Sequence, residues 1–212
     1  MLIERIVLLS LDDATGRPVG RAGMAPDLAL AGAALMDLAL AARIDTDRDR
    51  VLVVDRTPIG DPVLDPLLAM LGLPETPADA RGLIMLLARQ GGAMRAALLD
   101  RLVAAGALAR EQGRFLFLLA DLRFPKPAGA AMAADDRARL RALLLAEEIP
   151  TPEEALLLGL ARAAGLLPLI LAPEELGRVQ PWLTLVTRIE SLNRSLGTAV
   201  ADLRAARTLQ SS

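Results

Sequence analysis

The side chains of this sequence that could do chemistry are mainly carboxylates and arginines, because its 212 residues include no histidine and no cysteine. The commonest general base, thiolate nucleophiles and zinc-thiolate sites are therefore excluded. Two aspartate pairs, Asp12 with Asp13 and Asp61 with Asp65, could be imagined as an acid and a base. Both lie among turn residues, where aspartate is favoured as an acceptor of backbone hydrogen bonds. We predict turn-forming roles for them and no catalytic residue.

The glycine and aspartate patterns give no support to an enzyme either. The three glycines of residues 16–23 do not fit the phosphate-binding loop of a nucleotide-binding protein. The alternating aspartates of residues 45–49 resemble a calcium loop, but Arg50 and Arg56 stand where that loop needs glycine and glutamate. We interpret this segment as a charged turn. The sequence predicts no metal, no cofactor and no enzymatic activity.

Composition favours a helical fold. Hydrophobic residues make up 53% of the chain and aromatic residues only 2%, so the core must consist of aliphatic side chains and alanine, which pack well in helices. The length suits one domain. The predicted fold class is mainly α, a single helical domain with one or two short β-hairpins. The formal net charge of -2 provides no global basic field for nucleic acid or membrane.

No segment has the pattern of a signal peptide or a membrane-spanning helix. The best spanning candidate, residues 156–172, contains Arg162, Gly165 and Pro168 and is shorter than the roughly 20 apolar residues required. We interpret it as a buried helix followed by a loop, and we expect a cytoplasmic protein. Lys126 is the only lysine among 24 basic residues, a bias that suggests a GC-rich bacterial source.

Apolar periodicity and capping residues predict most of the secondary structure. The alanine-rich segment 28–42 carries one charge, Asp37, and is predicted to be the central core helix. Thr151 and Glu154 form a capping box with Pro152 at the first helical position, which predicts a helix over 152–164. The other predicted elements are a strand over 51–54, a loop over 57–62, helices over 63–71, 94–105 and 135–146, and a helix capped by Thr76 that carries Leu83 and Leu87 and breaks at Gly91 and Gly92.

Residues 108–124 lose the helical period, and residues 111–113 between two apolar runs predict a β-hairpin. Phe115, Phe117 and Leu119 alternate onto one face, and the intervening leucines occupy the other. A hairpin that is apolar on both faces has to bury them. The core, a partner subunit and the lipid interface remain as three alternatives.

Residues 94–124 also have the order of a winged helix, with a helix, a turn and a hairpin. A DNA-binding version would display basic residues on its helix and wing. Here acidic neighbours offset the arginines of both elements, and we expect no nucleic-acid partner. The arginines are Arg95, Arg101, Arg110 and Arg114, and the acidic neighbours are Asp100 and Glu111.

The residues after Pro173 have leucines at nearly heptad spacing and a local excess of arginine. We therefore predict a helical domain over 1–175 and a C-terminal amphipathic helix over 176–212 that packs on the same domain. A dimer seam and a surface that touches anionic lipid are the alternatives for this helix.

Six short signatures follow one another along the chain. They are the apolar run 6–9, Leu-Asp-Asp-Ala-Thr-Gly at 11–16, the small-residue helix that ends in Asp-Leu-Ala-Leu-Ala-Ala-Arg at 37–43, Thr-Pro-Ile-Gly-Asp-Pro-Val-Leu-Asp at 57–65, Leu-Val-Ala-Ala-Gly-Ala-Leu at 102–108 and Leu-Arg-Phe-Pro at 122–125. In this order and spacing, the chain resembles a bacterial-type member of the Golgi phosphoprotein 3 family over roughly residues 2 to 170.

The resemblance implies a mainly helical peripheral membrane protein that binds phosphatidylinositol 4-phosphate. In eukaryotic members, the headgroup pocket uses a tryptophan and an arginine near the start of the central helix and two arginines three residues apart before the Leu-Val motif. The corresponding positions here are Ala22, Ala31, Gly92 and Arg95, so only Arg95 matches. The resemblance also implies that the hairpin contacts a membrane or mediates self-association.

These observations predict a non-catalytic peripheral membrane protein that binds an anionic phospholipid headgroup, by resemblance phosphatidylinositol 4-phosphate, on the cytoplasmic face of a membrane. The predicted headgroup residues are Arg95, Arg21 and Arg17, and the predicted membrane-contact or self-association residues are Phe115, Leu116 and Phe117. The alternative is a module that has lost the lipid site and binds a protein partner, yet unidentified, or forms a homo-oligomer.

Overall fold

The computed structural model of the protein describes residues 1–19, 24–47, 50–73, 76, 79–115, 119–127 and 131–193. Within these ranges, nine helices and two antiparallel pairs of strands follow in chain order, and the mainly α fold class is confirmed. The helices are α1 Leu2–Leu9, α2 Ala25–Leu40, α3 Leu64–Met70, α4 Ala80–Ala88, α5 Gly91–Ala104, α6 Ala131–Ala146, α7 Pro152–Ala163, α8 Leu167–Ile170 and α9 Pro173–Asn193. The strands are β1 Ile44–Asp47, β2 Arg50–Val53, β3 Glu111–Phe115 and β4 Leu119–Arg123.

Helix α2 is the centre of the core, as its composition predicts. It packs against α1, α4, α5 and α7, and most of its residues are buried. Small side chains make this enclosure feasible, since they let neighbouring helices approach closely. Gly32 lies at a close approach of α2 to α7, because a Cβ atom added there would lie 3.3 Å from the Leu160 side chain of α7.

Helix α1 is formed by the N-terminal apolar run, which sequence analysis left without an assigned element. Six of its eight residues are buried, so it lies inside the fold, and its two charged residues connect it to other helices. Arg5 donates to Asp136 of α6 at 2.5 Å and 2.7 Å and to Glu153 of α7 at 2.9 Å. Glu4 lies 3.1 Å from Arg101 of α5. These ion pairs fix α1 relative to three helices.

The carboxylate of Asp37, on α2, caps the N-terminus of α1. The backbone N–H of Leu2 donates to Oδ1 at 3.0 Å, and that of Ile3 donates to Oδ2 at 2.9 Å. Asp37 is only 7% exposed, so these bonds satisfy a buried charge and two N–H groups that a first helical turn leaves without a partner. The one charge predicted within the central helix therefore positions the first helix.

Both hairpins depart from the sequence prediction, the first in containing a strand where a turn was expected and the second in the position of its turn. The segment interpreted as a charged turn contains strand β1, which pairs Ile44 with Val53 and Asp47 with Arg50. The second hairpin forms, but residues 111–113 lie within β3 and not in its turn. Phe115 pairs with Leu119 of the opposite strand, so the two residues were wrongly placed on one strand.

Several predicted helix ends are also corrected. Asp79, and not Thr76, caps α4, because its side chain accepts a hydrogen bond from the Gly82 N–H at 2.7 Å. Helix α6 begins at Ala131 and so does not start from a cap at Asp135. Gly91 is the first residue of α5, which starts one turn earlier than predicted. The capping box of Thr151 and Glu154 is confirmed in α7.

The last described helix, α9, packs on α6 and α8. Val179 and Leu183 are buried, and Trp182 is partly buried against the core. The predicted loop after α7 contains the short helix α8, so residues 156–172 cover parts of two helices. None of the helices described is both long and apolar enough to cross a membrane. The rest of the predicted C-terminal helix, residues 194–212, lies outside the described residues.

We expect Asp37→Asn to lower the free energy of unfolding by about 1 to 3 kcal/mol, because its amide group would face one of the two buried N–H donors and leave it without an acceptor. Urea denaturation followed by circular dichroism measures the effect. Asp79→Asn is the matched control, since it makes the same change at an exposed cap that accepts one bond, and asparagine caps helices as well as aspartate. Equal midpoints for the two variants would contradict the capping role of Asp37.

The pH dependence of this difference has a defined sign. Burial raises the pKa of Asp37, against the opposing effect of the Ile3 and Leu2 N–H donors. The folded state therefore holds the Asp37 proton more tightly than the unfolded state does. The stabilisation that the folded state gains from this tighter proton binding is complete below the ordinary aspartate pKa of about 3.9. It is lost as the pH rises through the raised pKa of Asp37. We expect the wild type to exceed Asp37→Asn in stability by more in acid than at neutral pH.

Candidate functional site

A cavity of about 260 Å³ lies where α1, α2 and α5 meet the loop that follows α1. Apolar side chains from α1, α2 and the segment between α7 and α8 form most of its wall. They are Ile6, Val7, Pro26, Leu30, Ala164 and Leu166. Ser10, Asp27 and Arg95 supply its polar groups, and Arg95 is the one arginine among its described lining residues. The cavity can therefore present a guanidinium group to an anion.

Arg95 lies on α5, one turn after the helix begins, and forms an ion pair across the cavity wall. Its Nη2 donates to Oδ1 of Asp27, in the first turn of α2, at 2.5 Å. The side chains of Arg95 and Asp27 are 30% and 29% exposed. Solvent, and an anion dissolved in it, can therefore reach both groups.

The Asp27 carboxyl group also lies against Gly91, the first residue of α5. A Cβ atom added to Gly91 would overlap with the Asp27 carboxyl group. A helix N-terminus carries a partial positive charge and attracts anions. Gly91 therefore leaves room for a carboxylate at the start of α5, within reach of Arg95.

The loop after α1 completes the wall with Pro18 and Val19. Asp12 stabilises this loop by accepting hydrogen bonds from the Thr15 backbone N–H at 2.8 Å and from its hydroxyl at 2.6 Å. These two bonds lower the pKa of Asp12. The loop then returns toward α1, since the Val19 N–H donates to the Ser10 carbonyl at 2.6 Å. Asp12 has the turn-forming role that its sequence context predicts.

The tip of the same loop is held against the segment that follows β4. Gly16 has a φ of +65°, and a Cβ atom added there would overlap with the backbone of Phe124 and Pro125. Its carbonyl accepts a hydrogen bond from the Phe124 N–H at 2.7 Å. Both the close approach and the positive φ require glycine at this position.

Two basic residues fix the start of the loop. Arg137 of α6 donates to the Leu9 carbonyl at 3.1 Å and to the Leu11 carbonyl at 2.8 Å. It also forms an ion pair with Asp13, as does Lys126. Burial lowers the pKa of Lys126. Asp13 therefore connects the loop to helix α6 and to the segment that follows β4.

Asp61 and Asp65 organise the loop before α3. Asp61 accepts hydrogen bonds from the backbone N–H groups of Val63 and Leu64 at 2.8 Å and 2.9 Å. Asp65 accepts them from Ile59 and Gly60 at 2.8 Å and 3.0 Å. Oδ1 of Asp61 and both oxygens of Asp65 are thus used for turn structure, as predicted, while Oδ2 of Asp61 pairs with Arg101. Among the residues described, no three acidic side chains converge as a metal ion would require.

A family model described as Golgi phosphoprotein 3 (GPP34) matches residues 2–207, nearly the whole chain. The chain belongs to the Golgi phosphoprotein 3 family. Known members bind phosphatidylinositol 4-phosphate at Golgi membranes, and the family is generally non-catalytic. No curated protein matches the chain. The match extends beyond residue 170, where the resemblance read from the sequence ends, and includes α9.

The four positions that correspond to headgroup residues of eukaryotic members of the Golgi phosphoprotein 3 family have unlike surroundings in this chain. Arg95 lines the cavity. Ala31 is fully buried within α2, so a charged side chain there would meet the core. A Cβ atom added to Gly92 would meet no other atom within 4 Å. Ala22 lies outside the described residues.

The structure describes only some of the other predicted site residues. Arg17 immediately precedes Pro18 and Val19 of the cavity wall, and its carbonyl accepts a hydrogen bond from the Asp12 N–H at 2.9 Å. Arg21, Leu116 and Phe117 lie outside the described residues, and Phe115 is described by its backbone alone, within β3. Asp27 was not among the predicted site residues, because 68 residues separate it from Arg95 and no local signal relates the two.

The arginines considered for nucleic-acid binding form ion pairs where their side chains are described. Arg95 pairs with Asp27, as above. Arg101 pairs with Glu4 and Asp61, and Arg110 pairs with Asp100. These pairs offset the positive charge that contacts with a phosphate backbone would need.

We expect Gly16→Ala to destabilise the fold by about 2 to 4 kcal/mol, because the added methyl group meets backbone atoms and the residue keeps a strained positive φ. Gly60→Ala is the matched control: its φ is +80°, but a Cβ atom there would meet nothing within 4 Å. We expect its cost to be about 1 kcal/mol, the backbone strain alone. Urea denaturation of both variants gives the comparison, and equal losses would show that the loop is not held in place at Gly16.

Proposed function

We propose that this protein is a non-catalytic peripheral membrane protein that binds an anionic phospholipid headgroup at the cavity beside Arg95. The observation that carries the proposal is the position of Arg95, which matches a headgroup arginine of the family and lines a cavity reached by solvent. By family likeness, the preferred headgroup is that of phosphatidylinositol 4-phosphate. The protein would act on the cytoplasmic face of a membrane.

The size of the cavity suits part of a headgroup. Its volume of about 260 Å³ is just below the roughly 300 to 1,000 Å³ of pockets that enclose whole small molecules. A phosphate group on the end of an inositol ring can enter such a space while the rest of the lipid remains in the bilayer. The guanidinium of Arg95 would form charge-assisted hydrogen bonds with the phosphate oxygens.

One arginine is a small donor set for a phosphate that carries more than one negative charge. We propose that Arg17 and Arg21 supply the others. In the sequence, Arg17 directly precedes Pro18 and Val19 of the cavity wall, and Arg21 follows Val19 by two residues. The overall charge of -2 makes a local site necessary, since the whole molecule is not attracted to an anionic surface.

Exposed apolar side chains in the cavity wall and just before α2 support a position at the membrane surface. Val19, in the cavity wall, is 37% exposed, and Met24, which precedes α2, is 51% exposed. Apolar groups next to an anion site can enter the boundary between headgroups and acyl chains. The predicted hairpin residues Phe115, Leu116 and Phe117 would provide a second shallow insertion.

A protein-interaction module is the alternative, and the ion pair of Arg95 and two replaced headgroup positions give it specific support. Asp27 neutralises Arg95, and Ala31 and Gly92 replace two headgroup donors of the eukaryotic members. A chain with this pattern could keep the fold and use the hairpin or α9 for self-association. It would then bind vesicles no better in the presence of Arg95 than in its absence.

We expect the wild type to co-sediment with vesicles that contain phosphatidylinositol 4-phosphate, and Arg95→Gln to lose about fivefold or more of that affinity, because a charge-assisted contact contributes roughly 1 kcal/mol or more. Arg81→Gln is the matched control, since it removes the same charge from an exposed position on α4. Vesicles of neutral lipid, other phosphoinositides and phosphatidylglycerol show whether binding depends on one headgroup.

Equal binding of the wild type and Arg95→Gln would rule out this lipid site. The interaction module would instead be favoured if the wild type bound none of the vesicles and formed a concentration-dependent oligomer in sedimentation velocity. Thermal unfolding of each variant ensures that lost binding is not lost folding.

A further inference from the structure

We propose that Asp27 is a built-in competitor of the phosphate ligand, which has to displace it from Arg95 before binding. The inference rests on the proposed function, because it concerns the same guanidinium group. Asp27 would control the affinity for the ligand, because the protein's own carboxylate occupies the anion site until a ligand displaces it. A ligand phosphate, from a lipid headgroup or from solution, would bind where that carboxylate now lies.

The Asp27 carboxylate lies against Arg95 in the way that a bound anion would. Oδ1 of Asp27 lies 2.5 Å from Nη2 of Arg95, within the range of a short charge-assisted hydrogen bond. Both side chains line the same cavity and are about equally exposed. An anion that enters the cavity therefore meets a guanidinium group whose cavity-side partner is already a carboxylate.

Gly91 makes room for the competitor. The Asp27 carboxyl group occupies the volume that any larger residue at position 91 would fill. It thus lies at the positive end of α5 and beside Arg95 at the same time. Both interactions favour an anion, and a phosphate would gain from both after Asp27 has moved.

The exchange is feasible because the pair is open to solvent. Partly exposed ion pairs are weak, since water screens them and they restrict two side chains. A phosphomonoester carries about 1.5 to 2 negative charges near neutral pH against one on Asp27. The phosphate ligand is therefore attracted to Arg95 more strongly than Asp27 is. Asp27 lowers the affinity of the site for the ligand but does not abolish binding.

A different role for Asp27 predicts the opposite result. If the carboxylate only oriented Arg95 for the ligand, then its loss would leave the guanidinium less well placed and would weaken binding. Competition requires that its loss, or its displacement, strengthens binding. The direction of the change therefore distinguishes a competitor from a positioning residue.

The test uses two variants that free Arg95 in different ways. Asp27→Asn removes the carboxylate charge. Gly91→Ala displaces the carboxyl group sterically and leaves the net charge unchanged. We expect each to increase the affinity for phosphatidylinositol 4-phosphate vesicles by about two- to fivefold, the fold-change that a weak exposed ion pair corresponds to.

Each variant has a matched control. Gly92→Ala makes the same substitution at the next residue, where the new Cβ atom meets nothing within 4 Å. Asp100→Asn removes the same charge from the exposed pair with Arg110, which is not among the described lining residues of the cavity. We expect both controls to bind as the wild type does.

The binding of these variants decides whether Asp27 competes with the ligand. A gain in both test variants that disappears when Arg95→Gln is added supports competition at this site. An equal gain in Asp100→Asn, or no gain in either test variant with vesicles or with inorganic phosphate, overturns it, and so does a loss of binding in Asp27→Asn. If Arg95→Gln alone reduces binding in that case, the proposed lipid site stands and only the competitor is rejected. If Arg95→Gln binds as the wild type does, the proposed function itself fails.

A parallel titration with inorganic phosphate, monitored by the thermal midpoint of each variant, distinguishes the two sources of the ligand. A gain with phosphate alone and none with vesicles would support competition and assign the site to a free phosphate compound. A gain with vesicles would assign it to a lipid headgroup.

Discussion

Because other helices enclose α2, its surface can carry only small or apolar residues and charged residues that have a partner. This restriction determines how the neighbouring helices are placed. Its small residues allow α1, α4, α5 and α7 to approach closely, so every charge on it needs a partner. Its two charged residues are both aspartates, and each meets the start of another helix. Asp37 caps α1, and Asp27 lies against the first residue of α5. The central helix therefore sets the positions of the two helices that border the cavity.

The fold could be predicted from the sequence where its signals are local. The capping box of α7 and the alanine-rich pattern of α2 depend on neighbouring residues, and both predictions are confirmed. The strand pairing could not be assigned in the same way, because residues 111–113 fit a turn as well as a strand end. Their place in β3 is set by pairing with β4. Helix α1 was missed because it has only eight residues, and an apolar run that short fits a buried strand as well as a helix.

The candidate site could be predicted only through Arg95, which a family motif marks. The residues that determine its surroundings are distant in sequence and have no pattern of their own. Asp27 looks like an ordinary acidic residue in a first helical turn, and only the packing of α2 on α5 brings it to Arg95. The sequence suggests a helix break at Gly91, yet Gly91 begins α5 and, lacking a side chain, leaves room for the Asp27 carboxylate. Such requirements arise from tertiary contacts, which a single sequence does not display.

The scarcity of aromatic residues makes one helix optically distinct. Trp182 is the only tryptophan, and the chain has no tyrosine. Its ring is partly buried against the core, on the same helix as the buried residues Val179 and Leu183. Excitation of intrinsic fluorescence therefore reports on α9 alone, while circular dichroism reports on all helices together. A red shift of the emission without loss of ellipticity would reveal that α9 had left the body of the protein while the rest stayed folded, and no label would have to be attached to see it.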